Sequence, residues 1–298
     1  MSEKTSVALG LFDGVHRGHR KVLELALKYA EKGCKPAVFT FSPQIVLKKS
    51  TGADGYIYTA REKLRILENM GFDSVYSPNF SDVCGFSGEE FARDILAGRM
   101  NVAVVCCGND FRFGRNASCG TAELRQLGEK YGFQVHIAED ELLDGEIVSS
   151  GRIRKLLAKG DIVQANRLLG DTYAVSAEVE SGAALGRTIG FPTANQHFKE
   201  NQLVPKFGVY KAETEIDGKI YPAMTNIGVK PTVEYGGLPL AETHICGFSG
   251  DIYGRFLQVK LLEFIRPEKK FGSVEELKSQ IAEDLFNIRF INTALSQK

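Results

Sequence analysis

The apolar pattern of this chain changes character once, near residues 160 to 170, and that change limits what it can fold into. Before it, short apolar runs alternate with amphipathic stretches of helical period. After it, strand-like runs follow one another with turn signals between them. One regular architecture does not satisfy both halves. The sequence therefore predicts two domains, 1–165 and 166–298, a division that the length of 298 residues also suits.

In the first half, VALGLF reads as a strand and RKVLELALKYAEKG as a helix, with Val22, Leu23, Ala26, Leu27 and Ala30 on one face and Gly33 as its stop. KPAVFTF, SVYSP, NVAVVCCG and QVHIAE are further strands. TAREKLRILENMGF, SGEEFARDILAGRM and TAELRQLGEKYGF are further helices, and Ser87 and Glu90 have the spacing of a capping box. Such alternation implies a doubly wound α/β domain with a mainly parallel sheet and helices on both faces. Ligands of these sheets bind beyond the carboxyl ends of the strands.

The second half predicts a small antiparallel β-barrel with a terminal helix. YAVSAEVES, GVYKAETEI, KIYPAMTNIG, AETHICG and RFLQVKLLEFI are its strands, and Asp217-Gly218 marks a tight hairpin. SVEELKSQIAEDLFNIRFI closes the chain as a helix, with a second capping box expected at Ser273 and Glu276.

Lysine plus arginine equal aspartate plus glutamate at 37 each, so the chain lacks the basic surplus of a duplex-binding protein, and no nucleic-acid partner is expected. The six cysteines form no C-x-x-C pair, which points to free thiols in a reducing cytoplasm. No run is long enough to span a membrane and the amino-terminal apolar run is too short for a signal peptide, so a cytoplasmic chain without a membrane partner is expected. Oligomeric state leaves no mark on the sequence.

The chemistry starts at LFDGVHRGHR, residues 11–20, placed where a strand hands over to a helix. His16 and His19 lie at the helix start, where unpaired N–H groups favour anions, and Gly14 and Gly18 let the backbone come close to a phosphate. Imidazoles there can donate to phosphate oxygens as charge moves onto a leaving group. A second loop-to-helix start, VSSGRIR, brings Ser149, Ser150 and Arg154 about 130 residues later, although Ser150 could simply cap the helix. No G-x-x-x-x-G-K-[ST] loop occurs, so this is not a P-loop enzyme.

The H-x-G-H spacing followed by a serine pair and an arginine resembles the nucleotidylyltransferase superfamily. The longer string GLFDGVHRGH narrows this to the prokaryotic bifunctional riboflavin kinase/FAD synthetase family. FTFSP (39–43) and GNDFRFG (108–114) resemble blocks of that family, and so do GRTIGFPTAN (186–195), FGVY (207–210), TNIGVKPT (225–232), ETHI (242–245) and RPEKKFGSVEELKSQI (266–281). The resemblance covers nearly the whole chain.

It implies two reactions. Riboflavin and ATP give FMN and ADP in the C-terminal domain, and FMN and ATP give FAD and pyrophosphate in the N-terminal FMN adenylyltransferase domain. Both would use Mg2+. By resemblance, Glu242 is the base for the ribityl hydroxyl, Thr193 and Asn195 arrange the metal and the ATP phosphates, and Gly186 and Arg187 cover the nucleotide. Oxygen ligands suit a hard cation and a carboxylate suits a base. As turn chemistry after Pro192, Thr193 and Asn195 would need no ligand. His16 and His19 match the adenylyl-transfer histidines, and Ser150 and Arg154 match the second phosphate segment. Asn109, Asp110 and Phe111 would help hold ATP or flavin, with Phe111 and Phe113 equally readable as core.

Two positions depart from the family. Gly151 stands where a threonine or serine is usual, and Gln44 where a basic residue or histidine is frequent. Both fall in the FAD synthetase half. Two alternatives therefore stay open: a riboflavin kinase with an impaired adenylyltransferase domain, and a non-catalytic flavin-binding regulator.

Overall fold

The computed structural model describes residues 3–41, 55–181, 186, 189–229 and 238–295, with side chains described as far as Ile288. Gln44 and Arg187 lie outside the described residues. The chain divides into two compact units, Met1–Arg152 and Ile153–Lys298.

The first unit is built on a five-stranded, all-parallel sheet in the order β3-β2-β1-β4-β5. Its strands are β1 (Thr5–Leu9), β2 (Lys35–Phe39), β3 (Ser74–Tyr76), β4 (Val102–Gly108) and β5 (Gln134–Ala138). Residues of one strand alternate between two separate cores. Val7 and Leu9 of β1 face a cluster with Phe91, Ile95, Leu96 and Leu124, whereas Ala8 faces one with Val22, Leu23, Ala26 and Leu67. The second cluster is supplied by α1 (Arg17–Ala30) and α2 (Ala60–Asn69). The first is supplied by α5 (Thr121–Tyr131) and by the segment that starts as α4 (Gly88–Glu90), which follows the short α3 (Phe80–Val83). Helices thus cover both faces, as the alternation implies.

Local chemistry sets the ends of these helices. Thr59 and Glu62 form a full capping box on α2, and Ser87 and Glu90 form the expected one on α4. Only the first turn of that predicted helix is α-helical, because Phe91–Arg99 continue as a π-helix that ends with Met100 N–H donating to the Ile95 carbonyl at 2.9 Å. A two-stranded ribbon not evident in the sequence, β6 (Leu142–Leu143) with β7 (Glu146–Ile147), leads into α6 (Ser150–Lys159).

Within the second unit, α7 (Ile162–Leu169) precedes a six-stranded antiparallel sheet ordered β8-β13-β10-β11-β12-β9. The strands are β8 (Ala174–Glu178), β9 (Thr193–His197), β10 (Gly208–Ile216), β11 (Lys219–Val229), β12 (Pro239–Ile245) and β13 (Phe256–Arg266). Asp217 and Gly218 take φ of 53° and 77°, the left-handed pair that a tight two-residue hairpin requires. Strand β9 is an addition to the sequence reading: TANQH has no apolar alternation, and pairing with β12 makes it a strand. It also draws the sheet into a near-barrel. Glu180 N–H donates to the Asn195 carbonyl at 2.9 Å, and the buried Gln196 amide donates to the carbonyls of Ala177 and Leu257 at 3.0 and 2.8 Å.

The terminal helix α8 (Val274–Leu295) packs Leu285 and Ile288 against Val209, Met224 and Cys246. Its expected capping box is half made. Ser273 Oγ accepts from Glu276 N–H, but the Glu276 carboxylate takes the N–H of Gly272 rather than that of Ser273.

Candidate active sites

In the first unit, the sheet order changes direction beside β1: β2 lies on one flank and β4 on the other. Loops leaving the carboxyl ends of β1 and β4 therefore border the crevice where parallel sheets bind ligands. The β1 loop carries His16 and the β4 loop carries Asn109, Asp110 and Phe111. Of the aromatic pair, Phe113 is buried in the core and Phe111 packs against that core only in part, its ring 5.9 Å from that of Phe113.

His16 is the N-cap of α1. Its Nδ1 accepts the His19 N–H at 3.3 Å, so in a neutral ring the proton sits on Nε2. The two imidazoles stack with centroids 3.6 Å apart, and Phe12 meets His19 edge-on at 5.4 Å. Gly14 has φ of 82° and turns the loop. Gly18 is small for a different reason: a Cβ there would stand 3.3 Å from the His16 ring and 3.4 Å from the Val148 carbonyl.

The second motif meets the first through a hydrogen bond, Ser150 Oγ donating to the Asp13 carbonyl at 2.9 Å. Ser150 is thus committed to the loop, and Ser149 caps α6 by accepting Arg152 N–H at 3.3 Å. Arg154 follows on α6 and is buried. At Gly151 a Cβ would meet nothing within 4 Å.

Sequence reasoning missed the groups beneath this loop. Asp13 accepts the Ile57 N–H through Oδ1 at 2.9 Å. Lys63 of α2 donates to the Leu11 carbonyl, the Thr40 hydroxyl and the Phe41 carbonyl at 3.2, 2.9 and 3.1 Å. Burial pushes the Lys63 ammonium down to about 8, against the opposing charge of Asp13. A sign was present: Lys63 precedes Leu67 by one helical turn, on the buried face of α2.

In the second unit, a cavity of about 380 Å³ opens between the sheet and α8. Its apolar wall includes Phe191, Val209, Met224 and Ile281, and its polar groups include Thr193, Asn195, Glu242 and His244. These four come together because β9 and β12 pair in register, Asn195 opposite Glu242 and Thr193 opposite His244. His244 Nδ1 lies 2.9 Å from the Pro192 carbonyl and holds the segment entering β9. The Gly186 carbonyl accepts Phe191 N–H at 2.7 Å, and a Cβ on Gly186 would collide with the Phe191 carbonyl oxygen. Thr193 also lines a second cavity of about 230 Å³, bordered by Phe248, Asp251 and Tyr253. The floor near α8 is fixed by Arg266, whose guanidinium pairs with the buried Asp284 at 2.7 Å.

Asn195 is 6% exposed, and its Oδ1 is buried without a hydrogen-bond partner. An unsatisfied amide oxygen beside a threonine hydroxyl and a carboxylate is a donor set that suits a hard divalent cation completed by phosphate oxygens.

Comparison with known proteins finds relatives for both halves of the chain. The FAD synthetase family matches residues 1–152, and the riboflavin kinase family (Flavokinase) matches residues 169–291. The bifunctional riboflavin kinase/FMN adenylyltransferase of Escherichia coli is 37% identical over 95% of this chain and 91% of its own length. That of Bacillus subtilis is 34% identical over 94% and 90%. A solved structure from Streptococcus pneumoniae, described as a macrolide-efflux protein, superposes with a TM-score of 0.83 at 31% identity, covering 97% of this chain and 95% of that one. No helix among the described residues is long and apolar enough to cross a membrane. The chain belongs to the bifunctional riboflavin kinase/FMN adenylyltransferase family, whose two activities convert riboflavin to FMN and FMN to FAD.

Proposed function

We propose that the two reactions divide between residues 1–165 and 166–298. The observation that carries the kinase assignment is the facing pair of Glu242 and orphaned Asn195 in one cavity. Riboflavin occupies the partly apolar cavity beneath α8, and ATP approaches from the cavity bordered by Phe248 and Tyr253. Glu242 accepts the proton of the ribityl terminal hydroxyl, whose oxygen attacks the γ-phosphorus of ATP as ADP leaves. Thr193 and Asn195 would hold Mg2+, which would supply charge neutralisation at the phosphates. Gly186 belongs to the segment that, by resemblance, covers the nucleotide.

In the N-terminal domain, a phosphate oxygen of FMN attacks the α-phosphorus of a second ATP and pyrophosphate leaves. His16, donating from Nε2, and His19 stabilise the phosphate oxygens at the N-terminus of α1. Gly14 shapes the loop that presents them, Gly18 lets the two motif segments pack, and Ser150 and Arg154 belong to the phosphate-binding segment. Asn109, Asp110 and Phe111 border the nucleotide or flavin.

The substrates are riboflavin, FMN and ATP, and we assign the chain to the cytoplasm, with no nucleic-acid or membrane partner. All six cysteines are free thiols, which supports a reducing compartment. The test is incubation with riboflavin, ATP and Mg2+ followed by chromatographic separation of the flavins. FMN followed by FAD is expected. FMN alone would favour the kinase-only reading, for which Gly151 is the specific observation, and neither product would overturn the enzymatic assignment.

A further inference from the structure

The loop that carries His16 has an unfavourable backbone. Phe12, Gly14 and Val15 have φ of 50°, 82° and 40°. Glycine adopts such angles freely, but a phenylalanine and above all a β-branched valine do so only where their surroundings hold them. Asp13 provides one anchor, through Ile57 N–H and the Ser150 hydroxyl. The other is the Leu11 carbonyl, which accepts from Thr40 Oγ1 at 2.9 Å and from Lys63 Nζ at 3.2 Å. An ammonium has three protons, and Lys63 has three acceptors: Leu11, Thr40 and Phe41. No proton remains for a substrate, so its work is done on the protein.

We propose that Lys63 is a positioning residue for adenylyl transfer. By tying the Leu11 carbonyl to the Thr40 hydroxyl and the Phe41 carbonyl, it holds the motif loop in the shape that sets His16 at the start of α1. The inference rests on the adenylyltransferase assignment of this unit.

Protonation makes the role measurable. A neutral amine has one donor fewer and cannot complete the clamp. Asp13 is the charge that opposes burial at Lys63, while Glu62, its neighbour on α2, turns back to Thr59 at 2.7 and 2.8 Å. Lys63 holds its proton to about pH 8 when folded and to its ordinary 10.5 when unfolded. Between those values the unfolded state binds more protons, so the stability this group contributes rises with pH. FAD synthesis should therefore fall through pH 8 while the chain stays folded.

The experiment measures FMN adenylylation and riboflavin phosphorylation on the intact chain from about pH 6.5 to about pH 9.5, with Lys63→Met and Thr40→Val beside the wild type. Displacing reacting groups by about 1 Å costs on the order of 10²-fold, and a kcat loss of that size is expected for FAD formation in Lys63→Met, with the KM for ATP little changed. Riboflavin phosphorylation should persist, and the alkaline fall near pH 8 should be present in the wild type and absent from the residual activity of Lys63→Met. Thr40→Val, which keeps the charge, should lose less and retain the alkaline fall. Wild-type rates in Lys63→Met, or a flat wild-type profile, would overturn the proposal. If Lys63→Met also loses riboflavin phosphorylation through misfolding, Thr40→Val and the wild-type profile decide. No FAD from the wild type at any pH would instead refute the underlying adenylyltransferase assignment, and the inference with it.

Discussion

At the scale of single residues, the proposed assignment predicts that the two activities separate. Glu242→Ala should abolish FMN formation and leave FAD formation from supplied FMN, and His19→Ala should do the reverse. Removing a group of either kind typically costs on the order of 10²–10⁴-fold in rate, readily measured by flavin chromatography. Loss of both activities from either change in a folded chain would overturn the two-site assignment. Gly151 offers the opposite test, a gain. A side chain there enters open space on the first turn of α6, so Gly151→Thr should fold normally. It should also lose less backbone entropy on folding, a gain of about 0.3 kcal/mol once threonine's low helix propensity is counted. If the missing hydroxyl limits phosphate binding, the KM for ATP in FAD synthesis falls; an unchanged KM would show that the segment binds phosphate without it.

Among the elements, legibility followed regularity. The β-α alternation up to β5, the Asp217-Gly218 hairpin and the terminal helix can be read because period, cap and turn residues agree with the final packing. Strand β9 could not be read that way, since its five residues depend on β12 for their conformation. The π-helical continuation of α4 has no sequence sign that distinguishes it from an α-helix. Motif residues were visible by spacing, whereas Asp13, Lys63 and His244 act on backbone groups of distant segments, and those partners exist only once the chain is folded. The same holds for Asp284, which joins α8 to β13 through Arg266 at 2.7 Å. Asp284→Ala strands the guanidinium near the cavity floor. We expect a loss of about 3 kcal/mol, the low end for breaking a buried pair because Arg266 is still partly exposed, seen as a lower Tm with weakened riboflavin phosphorylation.

On the scale of the whole molecule, one chain carries a reaction and the reaction that consumes its product. Complete conversion of riboflavin should therefore release ADP and pyrophosphate in equal amounts, with FMN rising and then falling in the time course. An ADP excess that persists would mark the adenylyl step as impaired. The packing of Gly18 has an older consequence. Its missing side chain makes room for the Val148 carbonyl as well as the His16 ring, so two segments about 130 residues apart share one fitted contact. Ancestral exchange of either segment between relatives would have tested both at once. The histidine signature and the serine–arginine signature are thus expected to be inherited as a linked pair, and a shuffled gene that takes one without the other should encode a well-folded chain with a badly fitted mouth.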